Sequence, residues 1–145
     1  MNYLSPSRTL WFAACLLLVF ACKKDEKTPA ELLTATTCWK MTLLEGYDPS
    51  VNLWVAVPVE ACVADNCFTF NSDQTFVTDE GASKCDPGDP QTAEGAWSLS
   101  DDGKKLSITD DGSSETGTLV TLTADKLSYE LSIDSAKIRV TFRAN

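Results

Sequence analysis

The sequence predicts an all-β domain: an eight-stranded antiparallel up-and-down barrel with a short N-terminal helix. Three observations carry this. Beyond residue 33 the apolar residues alternate with polar ones in eight runs, and a 3.6-residue period is nearly absent. The runs are joined by links rich in Asp, Gly and Ser, most too short for a crossover helix, so neighbours pair antiparallel. The chain has 145 residues, 43% of them hydrophobic, which is enough for one core. Eight sequential strands can close into a barrel and remove their exposed edges. A two-sheet sandwich has the same period, so alternation alone leaves that architecture open.

The first 21 residues read as an address rather than as structure. Arg8 supplies a positive start, and Leu10 to Ala21 runs LWFAACLLLVFA without a charge. As a helix this stretch spans ~18 Å, short of a hydrocarbon core of ~30 Å, so it fits the apolar region of a signal peptide. Leu18-Val19-Phe20-Ala21-Cys22 resembles a bacterial lipobox. That resemblance implies a diacylglyceryl group on the Cys22 thiol, cleavage before Cys22, and a further acyl chain such as palmitate on its new amine. Two or more chains anchor stably where one does not. Ordinary secretion with cleavage elsewhere is the alternative. Lys23-Lys24-Asp25-Glu26 resembles the signal that sends Bacteroidota-type lipoproteins to the cell surface, and otherwise reads as solvated linker. The expected location is the outer membrane, surface-exposed or periplasm-facing. Residues 22–27 form an acylated tether and 28–145 the domain. Cleavage removes one base and no acid, leaving 11 basic and 21 acidic residues, so the lipid rather than the protein surface must hold the chain to an anionic membrane.

Thr28-Pro29-Ala30-Glu31 has Thr at the N-cap, Pro at the first helical position and Glu at the third, a capping box opening a short helix whose apolar face is Leu32 and Leu33. The strands follow. Residues 38–45 set Trp39, Met41 and Leu43 on one face; 66–71 set Phe68 and Phe70; 74–78 set Phe76; 93–99 set Trp97 and Leu99. Then 104–109 set Leu106 and Ile108, and 117–123 set Val120 and Leu122. The last two alternate most cleanly: Leu127, Tyr129, Leu131 and Ile133, then Ile138, Val140 and Phe142. Antiparallel closure brings the start of the first strand near the end of the last. Arg143 there either stacks on Trp39 or is a solvated terminal charge.

From Leu32 onward the chain resembles the lipocalin-like domain of Bacteroidota-type lipoproteins. The residues that carry the resemblance are Leu33-Thr34 with Cys38-Trp39-Lys40-Met41, Asp65-Asn66-Cys67-Phe68-Thr69-Phe70-Asn71, Lys84-Cys85-Asp86-Pro87, and the run from Glu94-Gly95-Ala96-Trp97 to Asp102-Gly103. It implies a small lipocalin-like barrel with the helix closing one end. Thr37-Cys38-Trp39 stands where lipocalins usually carry Gly-x-Trp.

Of six cysteines, Cys15 lies in the signal and Cys22 takes lipid, leaving Cys38, Cys62, Cys67 and Cys85 for three alternative pairings. A hairpin turning at Ser72-Asp73 sets Cys62 opposite Ser83, close to Cys85, which favours a Cys62–Cys85 bridge. Cys38 and Cys67 each precede an inward aromatic and so point out of the barrel; they bridge adjacent strands if their heights match. A four-thiolate zinc site is the rival, but the spacings fit no zinc motif.

The chemistry is sparse. The chain has no histidine, which removes Ser-His-Asp and Cys-His catalysis and His-ligated zinc. The formal net charge of −9 argues against nucleic-acid binding. Asp101-Asp102-Gly103 and Asp110-Asp111-Gly112 read as Asp-Gly turns and lack calcium-loop spacing. No enzyme activity and no cofactor are expected. The expectation is a monomeric, membrane-tethered protein whose barrel binds a small hydrophobic ligand, lined by Trp39, Phe68, Phe70, Phe76, Trp97, Tyr129 and Phe142, with Trp54 at the mouth. The run Val51 to Val59, VNLWVAVPV, is either a lid over that mouth or a hairpin covering the core. The alternative function is a surface interaction module: a solid barrel binding a protein or glycan through its loops, with Asp79-Glu80 and Asp101-Asp102 steering a basic partner.

Overall fold

The computed structural model describes residues 26–110 and 112–145. The expected signal segment 1–21, the expected acylation residue Cys22 and residues 23–25 lie outside the described residues. The elements run α1 (Pro29–Leu33), β1 (Trp39–Asp48), β2 (Leu53–Val57), α2 (Ala61–Ala64), β3 (Cys67–Phe70), β4 (Thr75–Asp79), β5 (Thr92–Leu99), β6 (Lys105–Asp110), β7 (Ser113–Leu122), β8 (Lys126–Ile133) and β9 (Ala136–Ala144).

Every pairing is antiparallel, and the order β2-β1-β3-β4-β5-β6-β7-β8-β9 closes through β1 on β9. β1 and β3 to β9 therefore form a closed ring of eight strands, an up-and-down barrel rather than a sandwich, while β2 hangs outside the ring on the far half of β1. One seam is thin. β1 meets β3 only at Trp39 opposite Phe68, because the upper part of β1, Leu44 to Asp48, pairs with β2 instead.

The closed end is sealed by α1. Its capping box is formed: the Thr28 backbone N–H donates to Glu31 Oε2 (2.7 Å), and the Glu31 N–H donates to Thr28 Oγ1 (3.3 Å). Leu33 is fully buried, and its carbonyl accepts the indole N–H of fully buried Trp39 at 2.9 Å. Gly103, at φ 66° in the β5–β6 turn, lies under Pro29; a Cβ there would sit 3.0 Å from the Pro29 ring. Above this plug Phe70, Phe76, Trp97, Leu106, Leu127 and Phe142 complete the lower core. The turns at this end are held by aspartates. Asp73 accepts from the Thr75 hydroxyl and N–H, and Asp102 from the Ser100 hydroxyl and the Lys104 N–H; these bonds, the hydroxyl first, hold both carboxyls below their ordinary range.

Three expectations need correction, and one open alternative, that of Arg143, is decided. A ninth strand, β2, occupies part of Val51 to Val59, and it does not cover the core: Leu53, Val55 and Val57 remain exposed, and no β2 residue lines the cavity. A bulge between Met41 and Leu43 reverses the alternation in β1, so Leu43 turns outward and Leu44 packs on the core. A second bulge between Leu119 and Thr121 does the same in β7: Leu119 and Leu122 pack inward and Val120 is half exposed. Arg143 does not stack on Trp39. It stands opposite Lys40 on the outer face and pairs with Asp125 at 3.3 Å, because Phe142 and Ala144 take the inward positions on either side.

Both disulfides are present, Cys62–Cys85 and Cys38–Cys67. They consume all four thiols of the domain and exclude the four-thiolate zinc site.

Candidate functional site

Alternation along each strand decides what faces the barrel lumen, and the upper half of the lumen is not filled. A cavity of about 390 Å³ opens there. Its floor and walls are Met41 of β1, Phe68 and Phe70 of β3, Phe76 and Thr78 of β4, Ile108 of β6, Tyr129 of β8 and Phe142 of β9. Toward the mouth it is lined by Asp110, Ser113 and Glu115 from the β6–β7 hairpin. The rings form a connected set: Phe68 meets Phe142 edge-on at 5.3 Å, Phe70 meets Phe76 at 5.1 Å, and Tyr129 stacks on Phe142 at 6.0 Å.

Of the eight aromatics expected to line a ligand site, five reach the cavity: Phe68, Phe70, Phe76, Tyr129 and Phe142. Trp39 and Trp97 do not. Trp39 is spent on the α1 plug, and the Trp97 indole donates to the Asn71 carbonyl at 2.9 Å beside Phe70. Trp54 lies on the opposite, outer face of the β1–β2 ribbon. There the Arg139 guanidinium sits 4.0 Å over its ring and Tyr47 meets it edge-on at 5.3 Å. Arg139 also pairs with Glu130 (2.6 Å) and Glu45 (3.5 Å), so Trp54 belongs to an outer polar–aromatic cluster that holds β2 to the barrel.

The lining residues missed from sequence are Met41, Thr78, Ile108, Asp110, Ser113 and Glu115. The two acids carried a signal. Continuing the alternation Leu106, Ile108 by one step reaches Asp110, and stepping back from Gly117 reaches Glu115 and Ser113. The sequence pattern places Asp110 in an Asp-Gly turn, whereas it still belongs to β6.

Tyr129 is placed by a glycine. A Cβ on Gly117 would stand 2.6 Å from the Tyr129 ring, so only glycine lets that ring lie flat on β7. Burial, and second the nearby Glu115 charge, push its hydroxyl up to about 12. The sign follows. The neutral phenol is favoured in the fold, so its contribution to stability is complete below the ordinary value of 10 and is lost as pH rises through about 12. Alkaline titration at the tyrosinate absorbance band should therefore show a late step near 12, and Tyr129→Phe should abolish it. A step at 10 that the variant removes would contradict this placement.

The rim beside the mouth is tied down. Asp65 accepts the N–H groups of Ala82 (2.9 Å) and Ser83 (3.0 Å), and the Gln91 amide donates to Asp79 and to the Gly81 carbonyl. Buried Asn66, with its amide nitrogen turned toward them, donates to the carbonyls of Glu80 (2.9 Å) and Cys62 (2.8 Å). The Cys62–Cys85 bridge adds a covalent tie. This rim carries a second recess of about 540 Å³, lined by Glu80, Asp89, Pro90, Ala93 and Glu94, which shares Asp110 with the first.

The family model of the lipocalin-like domain matches residues 36–129. No curated protein matches the chain.

Proposed function

This chain belongs to the lipocalin-like domain family, and from that premise we propose that it is a non-enzymatic, membrane-tethered binding protein holding a small hydrophobic ligand in the upper barrel. The observation that carries this is the cavity of about 390 Å³ floored by aromatic rings, a size within the range of small-molecule sites. Such a site gains about 25 cal/mol for each Å² of apolar surface taken from water. Cys22 is the proposed acylation point and the outer membrane the proposed location, both on the lipobox resemblance.

The test uses the mature chain from residue 22 with Cys22→Ser, exported behind an ordinary cleavable signal so that no lipid competes. N-phenyl-1-naphthylamine, a neutral probe that brightens in apolar surroundings, should bind saturably at one per chain. Ile108→Trp, which fills the cavity, should weaken binding at least tenfold while the melting curve shows a folded barrel. Absence of saturable binding, or binding indifferent to the filled cavity, would sink this reading in favour of an interaction module.

A further inference from the structure

We infer that the ligand carries a cation: an apolar body on the aromatic floor and an ammonium head among the carboxylates at the mouth. This rests on the reading of the cavity as a ligand site and adds the charge of what it takes. Asp110 and Glu115 line the cavity, and no lysine or arginine does. Asp110 opens into the neighbouring recess, where Glu80, Asp89 and Glu94 add three more acids, again with no basic side chain in the lining. None of these five carboxylates takes part in an ion pair among the described residues. Lys84 stands closest by bonding, but its ammonium donates to the backbone carbonyl of Asp89 at 2.7 Å and to no carboxylate. A ligand entering here passes an uncompensated negative mouth, which concentrates cations and repels fatty acids and other anions.

The inner wall suits the same head group. Tyr129, partly buried, lines the cavity, and its hydroxyl has no hydrogen-bond partner among the described residues, which leaves an oxygen free to accept an N–H. The aromatic faces of Phe68, Phe76 and Phe142 attract an organic cation through their quadrupoles. Glu115 also raises the Tyr129 hydroxyl, so its field reaches into the cavity.

A metal ion is the competing cation, and the geometry disfavours it. Chelation needs several oxygens converging on one point. No three of these acids bring their oxygens within 4.8 Å of one another; among the described residues only Glu60, Cys62 and Cys85 do so, and those cysteines are bonded to each other. Carboxylates spread around an apolar cavity fit a diffuse ammonium rather than a compact divalent ion.

The experiment compares three probes of equal length, decylammonium, decan-1-ol and decanoate, as displacers of N-phenyl-1-naphthylamine from the same Cys22→Ser mature chain at neutral pH and low salt. Decylammonium should displace at a concentration at least tenfold below decan-1-ol, with decanoate weakest. Asp110→Asn with Glu115→Gln should bring decylammonium to within about threefold of decan-1-ol and leave decan-1-ol unchanged. If the naphthylamine binds but the amine gains nothing over the alcohol, the cationic ligand is overturned while the apolar site stands. If the preference survives the double variant, the assignment to these carboxylates fails. If the naphthylamine does not bind at all, it is the site reading that has failed.

Discussion

Trp39→Ala is expected to lower the unfolding free energy by about 3–5 kcal/mol, the usual range for truncating a buried tryptophan. The reason is position as well as volume. Trp39 is fully buried where α1, β1, β3 and β9 meet: its backbone pairs with Phe68 and Ala144, and its indole caps the Leu33 carbonyl. Removing it empties the plug, strands a buried carbonyl, and loosens the single residue pair joining β1 to β3. Against a total stability of about 5–15 kcal/mol, a loss of this size leaves a marginal fold. Urea unfolding followed by far-ultraviolet circular dichroism would measure it. Trp39→Phe separates the contributions, because it keeps most of the volume and removes the donor; an unsatisfied carbonyl costs about 1–3 kcal/mol. A loss below 1 kcal/mol in Trp39→Ala would mean that the closed end is not held by this residue.

The same residue shows what sequence discloses. Trp39, Phe68, Phe70, Phe76 and the clean alternation of β8 and β9 give their facing at once, because a strand buried on one side repeats every two residues. Closure does not follow from the period, which a sandwich shares; the lipocalin-like resemblance implies it, and the pairing of β1 with β9 shows it. What escapes is the position of the bulges. One extra residue near Met41 and another near Leu119 reverse the phase, so strict alternation puts Leu43 and Val120 on the wrong face, and nothing in an apolar pair such as Leu43-Leu44 says which of the two turns inward. β2 escapes for a different reason. Its apolar side remains exposed, and a hydrophobic run on an exposed ribbon looks the same as one in a core. The cavity is the hardest to see. Its apolar lining is recognisable as inward-facing, but whether such residues meet across the lumen or leave space depends on barrel radius and side-chain volume together. Asp110 and Glu115 break the apolar pattern at inward positions, and that break is the mark of the mouth.

The thin seam yields the second large effect. Cys38–Cys67 closes a loop with a sequence separation of 29 and Cys62–Cys85 one of 23. Chain entropy alone makes the two nearly equal, about 3–4 kcal/mol each. The structure separates them by what remains after each is cut. Without Cys62–Cys85 the rim is still held by Asp65 on Ala82 and Ser83 and by Asn66 on Glu80, so the loss should loosen the acidic recess and leave most of the barrel ladder protected. Without Cys38–Cys67 the β1–β3 seam retains one residue pair and the Thr69 hydroxyl donating to the Thr37 carbonyl at 2.7 Å. Cys38→Ser with Cys67→Ser should therefore cost the full ~3–4 kcal/mol globally and raise amide exchange along β1 and β3. Cys62→Ser with Cys85→Ser should raise exchange chiefly in residues 80–91 and shift the urea midpoint less. Equal midpoint shifts with exchange spread alike through both variants would mean that the seam is held by the closed ring as a whole, and that the bridge across it is redundant.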